Sequence, residues 1–233
     1  MLIRRITIGL VLVLLVVLPA TAQDFRKGFL AAKRGDYATA LKEWRPLAEQ
    51  GSTAAQYNLG QMYRQGEGVS KNYTEAAKWF RKAAEQGYGE AQNNLGQMYR
   101  QGQGVSKDYT EAAKWLRKAA EQGRARAQST LGVMYARGLG VPQDYAKAVT
   151  WYRKAAEQEH ASAQHKLGIQ FHRGLGVRQS YTQAHMWYSL AAEQGYKKAK
   201  RDRNHVVSLM TRAKIAEAQK LARAWWAKHP KKK

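Results

Sequence analysis

The apolar residues of this chain fall into pairs of helical stripes separated by short polar breaks. In residues 54–89 the first stripe consists of Ala55, Leu59, Met62 and Tyr63, which share one face of an α-helix because they are three or four residues apart. A second stripe with helical spacing follows after a break of a few residues. Because the break is short, we expect the two helices to pack antiparallel.

Glycines and capping residues mark the ends of both predicted helices. Gly66 follows the last residue of the first stripe and can adopt the left-handed conformation that closes a helix. Ser70 or Asn72 is placed to cap the second helix, which the pattern predicts over residues 73–86. Gly87 ends that helix.

The same pattern returns every 36 residues. A fixed period of this size is typical of solenoids, in which each unit buries its apolar face against its neighbours. Gly60 recurs inside the first helix, where glycine costs roughly 0.5–1 kcal/mol relative to alanine, so we expect a close backbone contact there. The recurring positions are Leu59, Leu95, Leu131 and Leu167, each followed by glycine; Tyr73, Tyr109, Tyr145 and Tyr181; and Trp79, Trp115, Trp151 and Trp187.

The repeated string LGxMYxxGxGVxxDYxxAxxWxxKAAEQG resembles the Sel-one-like repeat (SLR) family, a relative of the tetratricopeptide repeat. The resemblance implies an all-α, right-handed α-solenoid of antiparallel helix pairs with a concave protein-binding surface. It implies a scaffold and no chemistry. Four full units carry the motif, at residues 54–89, 90–125, 126–161 and 162–197.

The segments that flank the four units depart from the repeat. Residues 24–53 form a shortened, divergent first unit, in which Pro46 predicts a kink or a helix start. Residues 198–226 break the period, and a predicted helix over residues 213–226 is expected to cap the open end. Residues 227–233 form a basic tail that we expect to be disordered. The capping stripe is Ile215, Ala218, Leu221, Ala222 and Trp225, with Trp226 beside it and partly exposed.

The first 22 residues have the features of an export signal. Two arginines precede an apolar run, and residues 20–22 form a small-x-small site, so cleavage is predicted after Ala22. The alternative is a membrane anchor, but the run is shorter than the roughly 20 residues of a spanning helix. We therefore expect a periplasmic or secreted protein. The chain has no cysteine, so it departs from the disulfide-stapled secreted members of the family that it resembles.

The first helix of each unit, called the A helix below, carries a candidate binding surface. Residues at i, i+4 and i+7 share one face of a helix, and we expect the face beside the core stripe to be exposed and to form a protein- or peptide-binding groove along the stack. Ordinary solvated surface is the alternative. This A-helix strip consists of Tyr57, Gln61 and Arg64; Asn93, Gln97 and Arg100; Ser129, Val133 and Ala136; and His165, Ile169 and His172.

The net charge of +23 is concentrated toward one end. Residues 198–233 hold twelve Lys and Arg and two Asp and Glu, which predicts attraction to an anionic surface such as phospholipid or lipopolysaccharide. Within the repeats, Lys and Glu three or four residues apart are expected to pair on the outer helix faces. We expect no nucleic-acid partner, because no fold signature accompanies the basic charge. The candidate anion-contacting residues are Lys228, Lys231, Lys232 and Lys233.

Candidate chemistry is sparse. His160, His165, His172 and His185 lie in or beside the last unit, but a metal site needs three or four convergent ligands. The repeated glycine loops follow helices, unlike phosphate-binding loops. No motif of a metalloprotease, serine hydrolase or penicillin-binding enzyme is present. We therefore expect no cofactor and no enzyme activity, and a monomeric adaptor at the cell envelope.

Two alternative functions stay open at this stage. A secreted effector that binds host proteins makes the same prediction of fold. A β-lactam-type ligand-modifying enzyme is suggested by related disulfide-rich repeat proteins that have been linked with penicillin-type ligands, although the cysteines and a Ser-x-x-Lys motif are missing here.

Overall fold

The computed structural model describes residues 20–229, with side chains from residue 24 onward, and in this range the only regular secondary structure is α-helix. Consecutive helices pack in pairs and the pairs stack in chain order, as the repeat pattern predicts. The helices are α1 (Ala20–Lys33), α2 (Tyr37–Glu49), α3 (Thr53–Gln65), α4 (Tyr73–Glu85), α5 (Gly89–Gln101), α6 (Tyr109–Glu121), α7 (Ala125–Arg137), α8 (Tyr145–Glu157), α9 (Ala161–Arg173), α10 (Tyr181–Glu193), α11 (Lys197–Val207) and α12 (Arg212–Lys228).

The helix boundaries follow from local chemistry. Gly66 ends α3 in the left-handed conformation, with φ of 81°. The side-chain oxygen of Asn72 accepts a hydrogen bond from the backbone N–H of Glu75 at 3.0 Å, so Asn72 rather than Ser70 caps α4. Asp108, Asp144 and Ser180 occupy the same capping position in the next three units.

A glycine in each A helix lets the second helix of the unit, the B helix, approach closely. A Cβ atom added to Gly60 would lie 2.6 Å from the ring of Phe80 on α4. At Gly132 it would lie 2.6 Å from the ring of Tyr152. The expected close backbone contact is seen at Gly132, where the added atom would also lie 3.2 Å from the backbone oxygen of Ala148, whereas at Gly60 the nearest atoms belong to the side chain of Phe80. Large buried side chains fill the interior around these glycines, and each contributes about 1.5–3 kcal/mol when fully buried.

Buried glutamines join one unit to the next. The side-chain nitrogen of Gln56 donates to the carbonyl oxygen of Ala48 at 3.0 Å, and its side-chain oxygen accepts from Gln86 at 2.7 Å. These bonds satisfy polar groups that burial between helices would otherwise leave unpaired. We call this arrangement the glutamine relay. It recurs at Gln92 and Gln122, at Gln128 and Gln158, and at Gln164 and Gln194.

The divergent first unit is a helix pair formed by α1 and α2. Asp36 caps α2, and the helix continues through Pro46 to Glu49, so the predicted helix start near Pro46 is wrong. Pro46 is exposed and lies one turn from the end of the helix. Most of the predicted export signal lies outside the described residues. Helix α1 begins at Ala20, within the predicted cleavage site. Nothing in the structure tests cleavage after Ala22, which stays a prediction.

The carboxyl-terminal segment consists of two helices with different positions. Helix α11 packs on α10 and touches α9, as the A helix of a further unit would. Helix α12 packs on α10 instead of forming the hairpin partner of α11. The single capping segment predicted over residues 198–226 is therefore divided, and the stack ends in α11, of which only Ala199 and Val206 are buried.

The predicted apolar stripe of α12 does face the protein. Ala218 and Ala222 are buried, and the ring of Trp225 lies 6.3 Å from that of Trp187 on α10. Trp226 is partly buried, as expected, with its ring 4.9 Å from that of Trp225. Helix α12 thus covers the aromatic surface of α10.

Candidate protein-binding surface

The middle and last positions of the A-helix strip are accessible along successive A helices. Gln61, Gln97, Val133 and Ile169 are all half-buried, and so are the residues three positions after each of them. Hydrogen bonds connect the middle position of the strip to the A helix of the next unit. The side-chain oxygen of Gln61 accepts from Asn94 at 3.4 Å, and Gln97 donates to the hydroxyl of Thr130 at 2.9 Å. The A helices of the first three units are thereby joined beside the strip.

The first position of the strip is less accessible than the sequence predicts. Asn93, Ser129 and His165 are only 3%, 4% and 6% exposed, so their expected exposure is wrong. The reason is that this position lies between two units. The ring of Tyr57 lies 5.0 Å from that of Tyr88, which precedes α5, and the ring of His165 lies 5.1 Å from that of Tyr196, which precedes α11.

The amino-terminal half of the strip presents unpaired polar atoms. Gln61 donates to the hydroxyl of Tyr57 at 3.2 Å, and burial raises the pKa of Tyr57, so this hydroxyl keeps its proton. Arg100 donates to Gln97 at 2.9 Å. Within residues 20–229, the Nε of Arg64 and the side-chain oxygen of Asn93 have no hydrogen-bond partner.

The carboxyl-terminal half of the strip opens into a cavity of about 410 Å³, which we call the basic pocket. Val133, Ala136 and Ile169 of the strip line it. Four cations also line it, and the sequence analysis did not single out any of them. Burial and the neighbouring cations lower the pKa of the Lys166 ammonium to about 8. These cations are Arg137, Lys166, Arg173 and Lys198.

A comparison of repeat positions could have found this pocket. Arg137 and Arg173 stand where the first two units have Gln65 and Gln101, and Lys166 stands where they have Asn58 and Asn94. At these positions the side chains therefore change from neutral to positively charged along the stack, while the arginines at the last strip position, Arg64 and Arg100, give way to Ala136 and His172. Lys198 belongs to α11, and only the packing of α11 on α9 and α10 brings it to the pocket.

Helix α11 covers the last unit of the strip. The Nε2 of His165 lies 2.8 Å from a carboxylate oxygen of Asp202, and the ring of His172 lies 5.9 Å from that of His205. Burial lowers the pKa of both His165 and His172, although Asp202 opposes this shift. His165 therefore forms part of the internal packing, whereas His172 stays half-buried beside α11.

The histidines of this region do not assemble into a metal centre. Within residues 20–229, no three His, Cys, Asp or Glu side chains converge in a group that could hold a metal ion. His185 is buried on α10, beside the hydroxyl of Ser189. In the same range no helix has both the length and the apolar character needed to cross a membrane.

The outer face of the repeats is basic but internally paired. Lys78 pairs with Glu75 at 2.6 Å, and Lys114 pairs with Glu111 at 3.0 Å, as predicted for this face. Lys82 also lies 4.3 Å from the ring centre of Trp79. Lys228 is exposed at the end of α12. Lys231, Lys232 and Lys233 lie outside the described residues, so anion contact at this end stays a prediction.

Comparison with known proteins agrees with this architecture. The crystal structure of c5321, a protective antigen in uropathogenic Escherichia coli strains that displays an SLR fold, has a TM-score of 0.83 and 35% identity to this chain. The match covers 89% of this chain and 46% of that chain, so this chain spans about half the length of c5321. A Sel1 repeat protein from Oxalobacter formigenes matches with a TM-score of 0.72 and 33% identity, over 83% of each chain.

More distant structures share the fold alone. A Sel1 repeat protein from Klebsiella pneumoniae is 22% identical with a TM-score of 0.51, over 80% of this chain and 93% of that one. No curated protein sequence matches the chain. The family model described as Sel1 repeat matches residues 53–88, 89–123, 125–160 and 161–196. These four matches cover more than half of the sequence, and the chain therefore belongs to the Sel1 repeat family.

Proposed function

We propose that this chain is an exported, monomeric and non-enzymatic adaptor that binds a protein segment along the A-helix strip. Sel1 repeat proteins generally act as protein–protein interaction scaffolds. The observation that carries the proposal is that half-buried strip positions recur on four successive A helices, with Gln61 and Gln97 each hydrogen-bonded to the A helix of the next unit. An extended polypeptide needs a long accessible surface of this kind, whereas a small substrate needs one enclosed site.

Photo-crosslinking inside cells tests the binding surface. A photoreactive residue at position 61 or 97 is expected to capture a defined envelope protein, and one at position 78 or 114 on the outer face serves as the matched control. Changing Arg64 and Arg100 together to alanine is expected to abolish capture from position 61 while the helical circular dichroism stays unchanged. Equal capture from inner and outer positions would remove the basis for the strip as a binding surface.

Export is tested separately from binding. The amino-terminal signal pattern supports it, and so does the similarity to a protein described as a protective antigen. Mass spectrometry of the chain from periplasm and culture medium is expected to show a mature amino terminus at Gln23. Recovery in the medium alone would favour the effector role, and recovery of the full-length chain in the cytoplasm would contradict export.

Lipid binding by the basic carboxyl-terminal end and the absence of enzyme activity are tested by two further experiments. We propose that Lys228, Lys231, Lys232 and Lys233 contact anionic lipid, because four cations close together in the sequence are attracted to a negative surface. Sedimentation with phosphatidylglycerol vesicles is expected to weaken when all four become glutamine. Turnover of a chromogenic β-lactam by the pure protein would contradict the non-enzymatic role.

A further inference from the structure

The basic pocket holds positive charge that the protein itself does not neutralise. Arg137, Lys166, Arg173 and Lys198 line it, and within residues 20–229 none of the four forms an ion pair. No Asp or Glu is among the lining residues. Asp202, on the neighbouring helix, is already paired with His165 and Arg201. Like charges gathered in a concave site repel one another and raise the local concentration of anions.

Burial and repulsion by the neighbouring cations destabilise the charged form of Lys166. This side chain is half-buried on α9, and it donates to the carbonyl oxygen and hydroxyl of Ser162 one turn earlier. Arg137 and Lys198 lower its pKa further. A carboxylate placed in the pocket would relieve this repulsion and accept charged hydrogen bonds, which are stronger than neutral ones.

The rest of the pocket suits a polypeptide better than a bare anion. Val133, Ile169 and Leu175 supply an apolar wall, and Tyr145 and Tyr152 supply aromatic surface. Val133 and Ile169 also belong to the A-helix strip, so the pocket continues the surface that binds the protein segment in our proposed function. Inorganic phosphate has no apolar group for such a wall, whereas an acidic segment carries apolar neighbours beside its carboxylates.

A buried amide adds a second polypeptide feature. Gln170 lines the pocket where the three other units have Met62, Met98 and Met134. Its side-chain oxygen is buried and has no hydrogen-bond partner within the described part of the chain. An unpaired acceptor of this kind favours a ligand that brings an N–H donor, as a peptide backbone does and a phosphate does not.

We propose that the basic pocket binds side-chain carboxylates of an acidic segment, with apolar residues beside them, in the protein that occupies the A-helix strip. This proposal rests on the proposed function and adds which units of the stack bind the acidic part of the partner. The pocket is lined by residues of the third and fourth units and by Lys198, so the acidic part of the partner lies over these two units.

Two synthetic peptides measure the preference for carboxylates. One is Leu-Glu-Glu-Leu-Glu-Gly with an amino-terminal fluorophore and an amidated carboxyl terminus, and its twin has glutamine in place of every glutamate. Fluorescence anisotropy with the full mature chain is expected to show binding of the acidic peptide at least about tenfold tighter, the size of effect that charged hydrogen bonds produce. Equal affinity, or binding of neither peptide at about 1 mM, overturns the proposal.

Charge-matched variants separate the pocket from general attraction. Arg137→Gln combined with Arg173→Gln restores the glutamines of the first two units and is expected to weaken the acidic peptide about tenfold. Lys78→Gln combined with Lys114→Gln removes the same charge from the outer face and is expected to change affinity less than about twofold. Equal losses in both variants would show attraction to net charge and overturn the pocket.

Competition distinguishes other sources of negative charge. Phosphatidylglycerol vesicles and inorganic phosphate are added to the peptide complex at constant ionic strength. Weak displacement supports the proposal, whereas displacement by vesicles that also depends on Arg137 and Arg173 would assign the pocket to lipid and overturn it.

The crosslinking from positions 61 and 97 keeps the two proposals distinguishable. Successful crosslinking with equal binding of both peptides removes only the pocket proposal. Failed crosslinking with selective binding of the acidic peptide removes only the extended strip.

Discussion

The side-chain nitrogen of Gln158 donates to the side-chain oxygen of Gln128, 30 residues earlier in the sequence, at 2.8 Å. Gln128 in turn donates to the carbonyl oxygen of Ala120 at 3.0 Å, near the end of the preceding B helix. Three consecutive elements are thereby connected through one buried amide, because Ala120 lies on α6, Gln128 on α7 and Gln158 at the end of α8.

Replacing Gln128 with leucine is expected to destabilise the stack by about 1–3 kcal/mol, because the partner groups on Ala120 and Gln158 lose their hydrogen bonds. Urea unfolding followed by circular dichroism measures the change. Gln101→Leu is the control, since Gln101 is exposed and an exposed substitution of this kind changes stability by only about 0.5 kcal/mol. Equal stability of the two variants would show that the relay adds nothing to the packing.

The glycine loops are expected to tolerate alanine very unequally. Gly104 and Gly123 both have positive φ, at 68° and 82°. A Cβ atom on Gly104 would lie 2.1 Å from the backbone oxygen of Tyr73 in the preceding unit, whereas one on Gly123 meets nothing within 4 Å. Gly123→Ala is therefore expected to cost about 1–2 kcal/mol for the left-handed backbone alone. Gly104→Ala adds about 1–3 kcal/mol for the displaced backbone.

Thermal unfolding of these two alanine variants, monitored side by side, tests the difference. Their matched backbone angles make each the control of the other. A melting temperature that falls equally in both would mean that the loop moves away from Tyr73 without cost, and the close packing of loop on neighbouring unit would then carry no stability.

The sequence predicts the helices well because their capping residues and the spacing of their apolar residues are local features. The second helix, predicted over residues 73–86, is observed at Tyr73–Glu85, and the predicted cap at Asn72 is one of the two residues proposed. The 36-residue period also predicts the order of packing, since each unit has only neighbours of its own kind to cover its apolar face.

The candidate site was harder to predict because its contacts are between units and beyond the repeats. His165 contacts Asp202, which lies 37 residues later on a helix that the periodic pattern does not include. The basic pocket likewise depends on Lys198 of α11. The position of α12 on α10 was not predictable, because an apolar stripe shows which face is buried and not which neighbour buries it.

The attachment of α12 is expected to depend on its small buried residues. Ala222 is 4% exposed and belongs to the apolar cluster that contains Trp187 of α10, so Ala222→Asp forces a larger, charged side chain into a packed contact. Helix α12 is expected to detach, and trypsin is expected to cleave the chain at Arg212 and Lys214 while α1 to α10 stay folded. Ala224→Asp on the exposed face is the control, and equal digestion of the two variants would exclude this interface as the attachment.

Acid is expected to destabilise the carboxyl-terminal half of the protein. Burial lowers the pKa of His160, His165, His172 and His185 below the unfolded value of 6.5. The unfolded chain therefore binds more protons than the folded chain when the pH falls below about 6.5, so stability decreases in that direction and is regained on return to neutral pH.

His160 gives the sharpest test of this pH dependence. Its Nδ1 accepts a hydrogen bond from the backbone N–H of Ala163 at 3.2 Å and so caps α9 only while that nitrogen is unprotonated. Lys166 and Arg126 also oppose a positive charge on this ring. His160→Asn keeps a capping side chain that does not titrate, so the urea midpoint is expected to fall less between pH 7.5 and pH 5 than in the parent protein. Ser52→Asn exchanges one non-titrating cap for another and is expected to leave the parent's pH dependence unchanged; the same dependence in all three proteins would exclude His160 as a source of the acid sensitivity.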